Sequence, residues 1–256
     1  MKRLVFLCAV MIAGNATYLT GAESFSEEQR TEGAKLVHEL RAFQPAEAEL
    51  SGVLRIRSRR TRSTEEIPVS YKVVMGAAES GAAEWETIFE TKPTAARPAE
   101  RLVVSHGTTQ TNRYLYVRGS NTTDRLAVPA PLAASELDQP FAGSDFAIGD
   151  LGLEFLHWPV HYRLKGEMRL SKPCYVLESR NPGGKQIVRV KTWIEKESGG
   201  ILIAEFYDAK NTMVKEFSLS GSSFKKVNGK YQLEKMEIRS PKERSETELK
   251  FNLPRD

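Results

Sequence analysis

The 256-residue chain is poor in the residues that carry most enzyme and metal chemistry: it has two cysteines, Cys8 and Cys174, and four histidines. Cys8 falls in an N-terminal targeting segment, which leaves Cys174 alone and excludes an intrachain disulfide in the remaining protein. Cys174 lies in an alternating apolar pattern and reads as a small buried hydrophobe, with a reactive thiol as the alternative. Long apolar runs are also missing. The stretch from Leu4 to Ala13 is shorter than the roughly 20 residues a helix needs to cross a bilayer, and no later segment approaches that length. Charge of one sign is missing too, since 37 Lys and Arg stand against 33 Asp and Glu. That near balance gives no nucleic-acid footprint and allows no more than weak attraction to an anionic membrane.

What is present begins with an export signature. Met1-Lys2-Arg3 precedes the short apolar core, and a stretch of small and polar residues ends at Thr20-Gly21-Ala22. This order predicts a signal peptide over residues 1–22, cleaved after Ala22, with a retained membrane anchor as the weaker alternative. Cys8 sits too early to be a lipid-modified cysteine. Removal of that segment leaves 35 basic and 33 acidic residues, a charge of +2. Residues 23–256 are then expected to form a single domain, long enough to bury a core without covalent staples.

Residues 25–43 have a helical period, with Ala34, Val37, Leu40 and Phe25 on one face; Ser24 or Ser26 can cap the start, and Pro45 ends the pattern. After Pro45 the period becomes two. Runs at 53–57, 69–73, 85–89, 102–104 and 114–117 alternate apolar with polar residues. A Pro- and Ala-rich stretch from Val128 to Pro140 and a Gly-interrupted apolar segment from Phe141 to Trp158 separate these from a second series. That series starts at Tyr162 and continues through 174–177, 187–194, 201–207, 213–219, 231–238 and 248–253. About eleven antiparallel strands in one chain tend to curl rather than stay flat. The expected fold is therefore mainly β with helices: a strongly curved antiparallel sheet or unclosed β-barrel, its apolar concave face covered by the N-terminal helix and the 141–158 segment. Periodicity does not distinguish a hollow interior from a filled one.

Catalytic constellations are weak. His157 and His161 have the i, i+4 spacing of a zinc-protease helix, but the glutamate that should follow the first histidine is absent and Pro159 opposes the helix. His38 and His106 have no sequence neighbours that suggest a nucleophile and base. Ser144-Asp145 lacks a G-x-S-x-G elbow and reads as a cap for the segment starting at Phe146. Gly183-Gly184 after Asn181-Pro182 is a turn, and Asn121-Thr122-Thr123 is a glycosylation triplet of a kind frequent by chance. Arg55, Arg57, Arg59, Arg60 and Arg62 form a basic cluster, either a solvated strand face running into a hairpin tip or a contact for lipid phosphate or an acidic partner. No catalytic residue, metal or cofactor is predicted.

The segment Phe141-Ala142-Gly143-Ser144-Asp145-Phe146-Ala147-Ile148-Gly149-Asp150-Leu151 resembles the F-x-G-S-D-F-x-x-x-D-L signature of the LolA-like outer-membrane lipoprotein-sorting proteins. Cys174–Glu178, Trp193–Lys196, Ala204–Asp208 and Val214-Lys215 follow in that family's order, so the resemblance covers residues 140–253. The chain departs from the pattern at Ile148 and Gly149, where the family has Tyr and an acid, and at Asn211, where it has Gly. The resemblance implies an unclosed β-barrel with helices as a lid over an apolar site. Its expected partners are acyl chains of lipids or lipoproteins, a membrane transporter as donor and an outer-membrane acceptor. It places the protein in the periplasm as a non-enzymatic carrier, the alternative being a binding or scaffold module of an envelope complex. Candidate lid or lipid contacts are Val37, Leu40, Phe146, Ile148, Leu151 and Phe155, with Arg55 and Arg57 as candidate head-group contacts. Gly149 and Gly152 weaken a helix there, which suits a lid that rearranges and equally suits close packing.

Overall fold

The computed structural model describes residues 24–76, 85–119, 126–219, 223–227 and 230–253. The expected signal peptide and the Asn121 triplet lie outside the described residues. Helix α1 spans Glu27–Arg41, and Ser26 is its cap: the Gln29 backbone N–H donates to Ser26 Oγ at 3.1 Å while the Ser26 N–H donates to Gln29 Oε1 at 2.9 Å. This reciprocal box satisfies two backbone donors that a bare helix end leaves open. The buried face is Gly33, Leu36 and Val37, with Leu40 partly buried. Ala34, expected on that face, is exposed, and Gly33 takes its place. A Cβ at Gly33 would stand 2.6 Å from the His161 carbonyl oxygen and 2.8 Å from Tyr162 Cα, so glycine is what lets the helix lie directly on a strand backbone.

The strands are β1 (Ala48–Ser58), β2 (Ser63–Met75), β3 (Trp85–Thr91), β4 (Glu100–His106), β5 (Arg113–Arg118), β6 (Ala130–Pro131), β7 (Val160–Arg169), β8 (Lys172–Arg180), β9 (Arg189–Glu195), β10 (Ile201–Tyr207), β11 (Met213–Ser218), β12 (Phe224–Val227), β13 (Lys230–Leu233), β14 (Lys235–Ser240) and β15 (Ser245–Phe251). Thirteen of them form one antiparallel sheet in the order β6-β5-β4-β3-β2-β1-β15-β14-β11-β10-β9-β8-β7, and β12 pairs with β13 as a separate hairpin. From the centre, β1 to β6 step out to one edge. The chain then crosses to the opposite edge and steps back in from β7 to β15, so the first and last strands meet in the middle. The sheet is not closed, since β6 and β7 remain its two edges. Helix α1 runs along β7 and blunts that edge, and Glu32 reaches Arg163 at 3.1 Å.

Two differences from the sequence pattern have local causes. Residues 231–238, expected as one strand, belong to β13 and β14. Glu234 breaks the run because its N–H donates to the Ser223 carbonyl and its own carbonyl accepts from the Phe251 N–H, both at 2.7 Å. Asn211 has φ of 62°, the left-handed conformation in which glycine is least costly, so it can replace the family's glycine without changing the turn.

The inner face can be read across the register. Ile56, Thr247, Ile238, Phe217, Ala204, Thr192 and Leu177 are successive cross-strand partners from β1 to β8. From Leu50, also in β1, Tyr71, Phe89, Leu102 and Tyr116 are successive partners the other way. Most of these side chains belong to one apolar cluster that also contains Leu36 and Val37 of α1. The cluster is completed by residues 132–158, which lie over the same face as short 3-10 turns and a single-turn helix α2, Ile148–Leu151. Phe141 meets Phe89, Phe146 meets Phe217 and Phe155 meets Phe206, all edge to face with ring centres 5.6–6.4 Å apart. The interior is therefore largely filled by this segment of the chain.

Candidate functional site

The covering segment has two parts. From Phe141 to Ala147 it is tied to the sheet by carboxylates. Asp145 accepts from Ser245 Oγ at 2.5 Å and Thr247 Oγ1 at 2.8 Å, while the Asp145 N–H donates to Thr247 Oγ1 at 3.0 Å. Glu100, 2 % exposed, accepts from the Ala142 N–H at 2.6 Å. Ser144 Oγ accepts from the Phe146 N–H at 3.2 Å, as expected for a local cap, but Asp145 instead joins the segment to β15.

From Ile148 to His157 the segment forms a wall between two clefts. The helical spacing expected over Ile148, Leu151 and Phe155 is interrupted: α2 stops after Leu151, and Leu153 is left-handed at φ 52° before a 3-10 turn at Glu154–His157. Tyr114 packs against the chain at this break, where a Cβ on Gly152 would stand 2.3 Å from its hydroxyl. This is the close-packing reading of that glycine.

On one side of the wall is an apolar cleft of about 260 Å³ between the end of α1, the inner face of β2, β3 and β4, and β11 and β14. Leu40, Phe146 and Leu151 line it together with Tyr71, Phe89, Phe217 and Met236. On the other side a more polar cleft of about 300 Å³ contains Phe155, Trp158, Phe206 and the Asp150–Lys215 ion pair, whose atoms are 2.5 Å apart. Asp150 borders both clefts, and its carboxylate also accepts from the Ala147 N–H at 2.8 Å.

The structure thus brings Leu40, Phe146 and Leu151 to one cleft and puts Phe155 at the other. Val37 and Ile148 are buried in the apolar cluster and line neither. Arg55 and Arg57 lie on the opposite face of the sheet, because their register partners alternate with the inward Leu54, Ile67 and Leu249. There Arg55 pairs with Glu66 at 2.7 Å and Glu248 at 3.0 Å, and Arg57 stands 4.0 Å from Glu246.

Polar groups collect at the α1 end of the apolar cleft, where sequence reasoning placed none. Tyr114 donates to Glu154 at 2.9 Å, and Asn112 Nδ2 donates to the Gly152 carbonyl at 2.6 Å. Burial pushes the Glu154 carboxyl up to about 7, against the opposing pull of the Tyr114 hydrogen bond and Arg41. Burial holds His106, His157 and His161 down to about 4, so all three are neutral at pH 7. His161 Nδ1 is 2.9 Å from Ser179 Oγ and His106 Nε2 is 2.9 Å from Thr87 Oγ1. Among the described residues no three His, Cys, Asp or Glu side chains converge on a metal-sized site. Cys174 is fully buried beside Val176 and Trp193 on the outer face, and burial raises its thiol above the usual value.

An open antiparallel sheet wound around its own helix and covering segment, with an apolar cleft beneath, defines a LolA-like half-barrel. A putative outer-membrane lipoprotein-sorting protein domain from Vibrio parahaemolyticus has this fold, with a TM-score of 0.66 at 17 % identity over 87 % of this chain and 91 % of that one. A DUF1329 family protein from Desulfovibrio piger gives 0.65 at 18 % identity over 88 % and 91 %, and a LolA superfamily protein from Nitrosomonas europaea gives 0.57 at 16 % over 89 % and 94 %. A family model described only as "-like: Uncharacterized protein" matches residues 83–254, and the chain belongs to that family. No curated protein matches the sequence.

Proposed function

We propose that this protein is an exported, periplasmic, non-enzymatic carrier that takes an acyl chain of a lipid or lipoprotein into the cleft lined by Leu40, Phe146 and Leu151. The observation that carries this reading is an apolar cleft on a concave face that is otherwise packed closed. A buried methylene gains roughly 0.8 kcal/mol over an exposed one, so an apolar cleft is sufficient to hold such cargo without covalent chemistry. At about 260 Å³ the cleft lies just under the roughly 300–1,000 Å³ usual for ligand pockets, which fits a closed form that enlarges when the 148–157 wall shifts. The fold shared with a putative outer-membrane lipoprotein-sorting protein domain supports the lipoprotein context, and the carrier reading adds a membrane transporter as donor and an outer-membrane acceptor. No described helix is long and apolar enough to cross a membrane. Arg55 and Arg57 remain a proposal for an acidic partner or membrane phosphate at the outer face, separate from the cleft.

The packing of Phe146 and Ile148, both 0 % exposed, favours a second reading in which the filled half-barrel is a scaffold module. Native mass spectrometry of protein isolated gently from cells separates the two. A carrier retains co-purified lipid, whereas a protein free of lipid that also fails to bind a fluorescent fatty acid is the scaffold. N-terminal sequencing of the exported protein should begin at Glu23.

A further inference from the structure

The apolar cleft has one polar end, built by Arg41 at the close of α1, His157 at the close of the last 3-10 turn, and Asn112 just before β5. Six buried side-chain nitrogen or oxygen atoms among the described residues have no hydrogen-bond partner within the protein. Three of these are Arg41 Nε, Asn112 Oδ1 and His157 Nδ1, all from residues lining this one cleft. Buried polar atoms are nearly always paired because an unpaired one is costly. Three such atoms from residues of one cleft are what an incomplete binding site looks like.

The surrounding contacts indicate what completes it. Arg41 Nη2 donates to the Gln110 carbonyl at 2.7 Å, which anchors the guanidinium and leaves Nε–H unused. Asn112 Nδ2 is committed to the Gly152 carbonyl and, at 3.3 Å, to the Tyr114 hydroxyl, so its amide oxygen is the atom left without a hydrogen bond of normal geometry; it is also the atom whose pull on the His106 ring opposes the effect of burial there. Glu154 is the acid whose field acts on Arg41. Since burial raises that carboxyl to about 7, it is only partly ionised at neutral pH and balances the arginine incompletely. The histidines at this end are neutral there and act as hydrogen-bonding groups rather than charges.

The geometry points to this end of the cleft as the seat of an anionic oxygen head group, a carboxylate or a phosphate monoester, on an amphiphile whose acyl chain lies beside Leu40, Leu151 and Phe217. The inference rests on the carrier reading and adds the class of head group. Arg41 Nε–H gives a charge-assisted bond to an anionic oxygen, the neutral His157 ring can donate a second through Nδ1, and Asn112 Oδ1 accepts from a hydroxyl near the head. The outer-face arginines are unsuited to this role because Arg55 and Arg57 already face carboxylates.

The test is displacement of the neutral apolar dye 1-N-phenylnaphthylamine from the full mature protein by palmitate, methyl palmitate and 1-palmitoyl lysophosphatidate. The acid or the lysophosphatidate should bind about tenfold or more tightly than the ester, the scale of one charge-assisted hydrogen bond, and the tighter of the two identifies carboxylate or phosphate as the head. Arg41→Gln should bring that ratio to about one, while Arg41→Lys, which keeps the charge and loses the planar donor, should retain part of it. Equal binding of ester and acids by the unmodified protein overturns the head-group inference and leaves the carrier intact. Arg41→Gln lowering all three ligands in parallel also overturns it, by making Arg41 a structural residue. Failure of both the dye and the ester to bind removes the carrier reading, and this inference with it.

Discussion

The two halves of the covering segment are neighbours in sequence but differ in what surrounds them. Phe141–Ala147 is pressed on the sheet by buried rings and fixed by Asp145 to β15 and by Glu100 to β4. Ile148–His157 has a cleft on either side, and its ties run through Asp150 to Lys215 and through Glu154 to Tyr114, with Asp150, Lys215 and Glu154 bordering the clefts. The first half is a floor that completes the core. The second is a partition with a cleft on each side, and on the proposed carrier reading opening would fall to this half.

Substitutions can break this contrast, and the largest effects should fall in the floor. Phe146→Ala removes a fully buried ring that meets Phe217 edge to face. It should cost about 3–5 kcal/mol, measured by denaturant unfolding. Asp145→Ala deletes the acceptor of two hydroxyl donors in a half-buried setting, leaving the fully buried Thr247 hydroxyl without its acceptor, and should cost about 1–3 kcal/mol. If either variant melts with the wild-type protein, the floor is not fixed and the comparison fails.

The partition should answer differently. Leu151→Asp places a carboxylate in the apolar cleft, where it can reach water by displacing the wall, so stability should fall by about 1–2 kcal/mol while binding of a fluorescent fatty acid falls at least about tenfold. Val190→Asp, at a fully buried position in β9, is the control and should unfold the protein with or without lipid. A folded Leu151→Asp protein that binds as well as wild type would take this segment out of the site.

How much of this was legible depended on whether the signal was local. Alternation revealed most strands, because one face is buried across the whole sheet, and Phe141–Leu151 pointed to the LolA-like fold. The meeting of β1 with β15 was not legible, since it joins residues about 190 apart and nothing in either strand names its partner. Nor was the break after Leu151, where Tyr114 of a distant strand packs against Gly152. The polar end of the cleft escaped for the same reason. Arg41, Asn112 and His157 come from three separate elements, and each alone resembles an ordinary surface residue. The only hint was that Arg41 directly follows Leu40 on the helix face assigned to the core.

The smallest effect concerns Glu154, whose response to pH tests whether the partition is as dry as its place between the clefts implies. Its carboxyl titrates near 7 in the folded protein and near the ordinary 4.5 when unfolded, so the folded state binds the extra proton between those values. Stability from this group is therefore present below about pH 4.5 and is lost as pH rises through 7, the reverse of a salt-bridged carboxylate. The neutral histidines act oppositely: folded values near 4 make the protein gain stability from pH 4 to 6.5. Overall stability should thus rise with pH in that range and obscure the glutamate. Comparison with Glu154→Gln removes the histidines from the difference, because glutamine still accepts from Tyr114 but cannot ionise. The two proteins should melt together near pH 5, and by pH 8 the variant should be the more stable by on the order of 1 kcal/mol, a figure discounted for partial exposure. If the difference instead stays constant from pH 5 to 8, Glu154 is well solvated and the partition is already open in the resting protein. If the variant loses stability as pH rises, the Arg41–Glu154 attraction outweighs burial and Arg41 is already neutralised without a ligand.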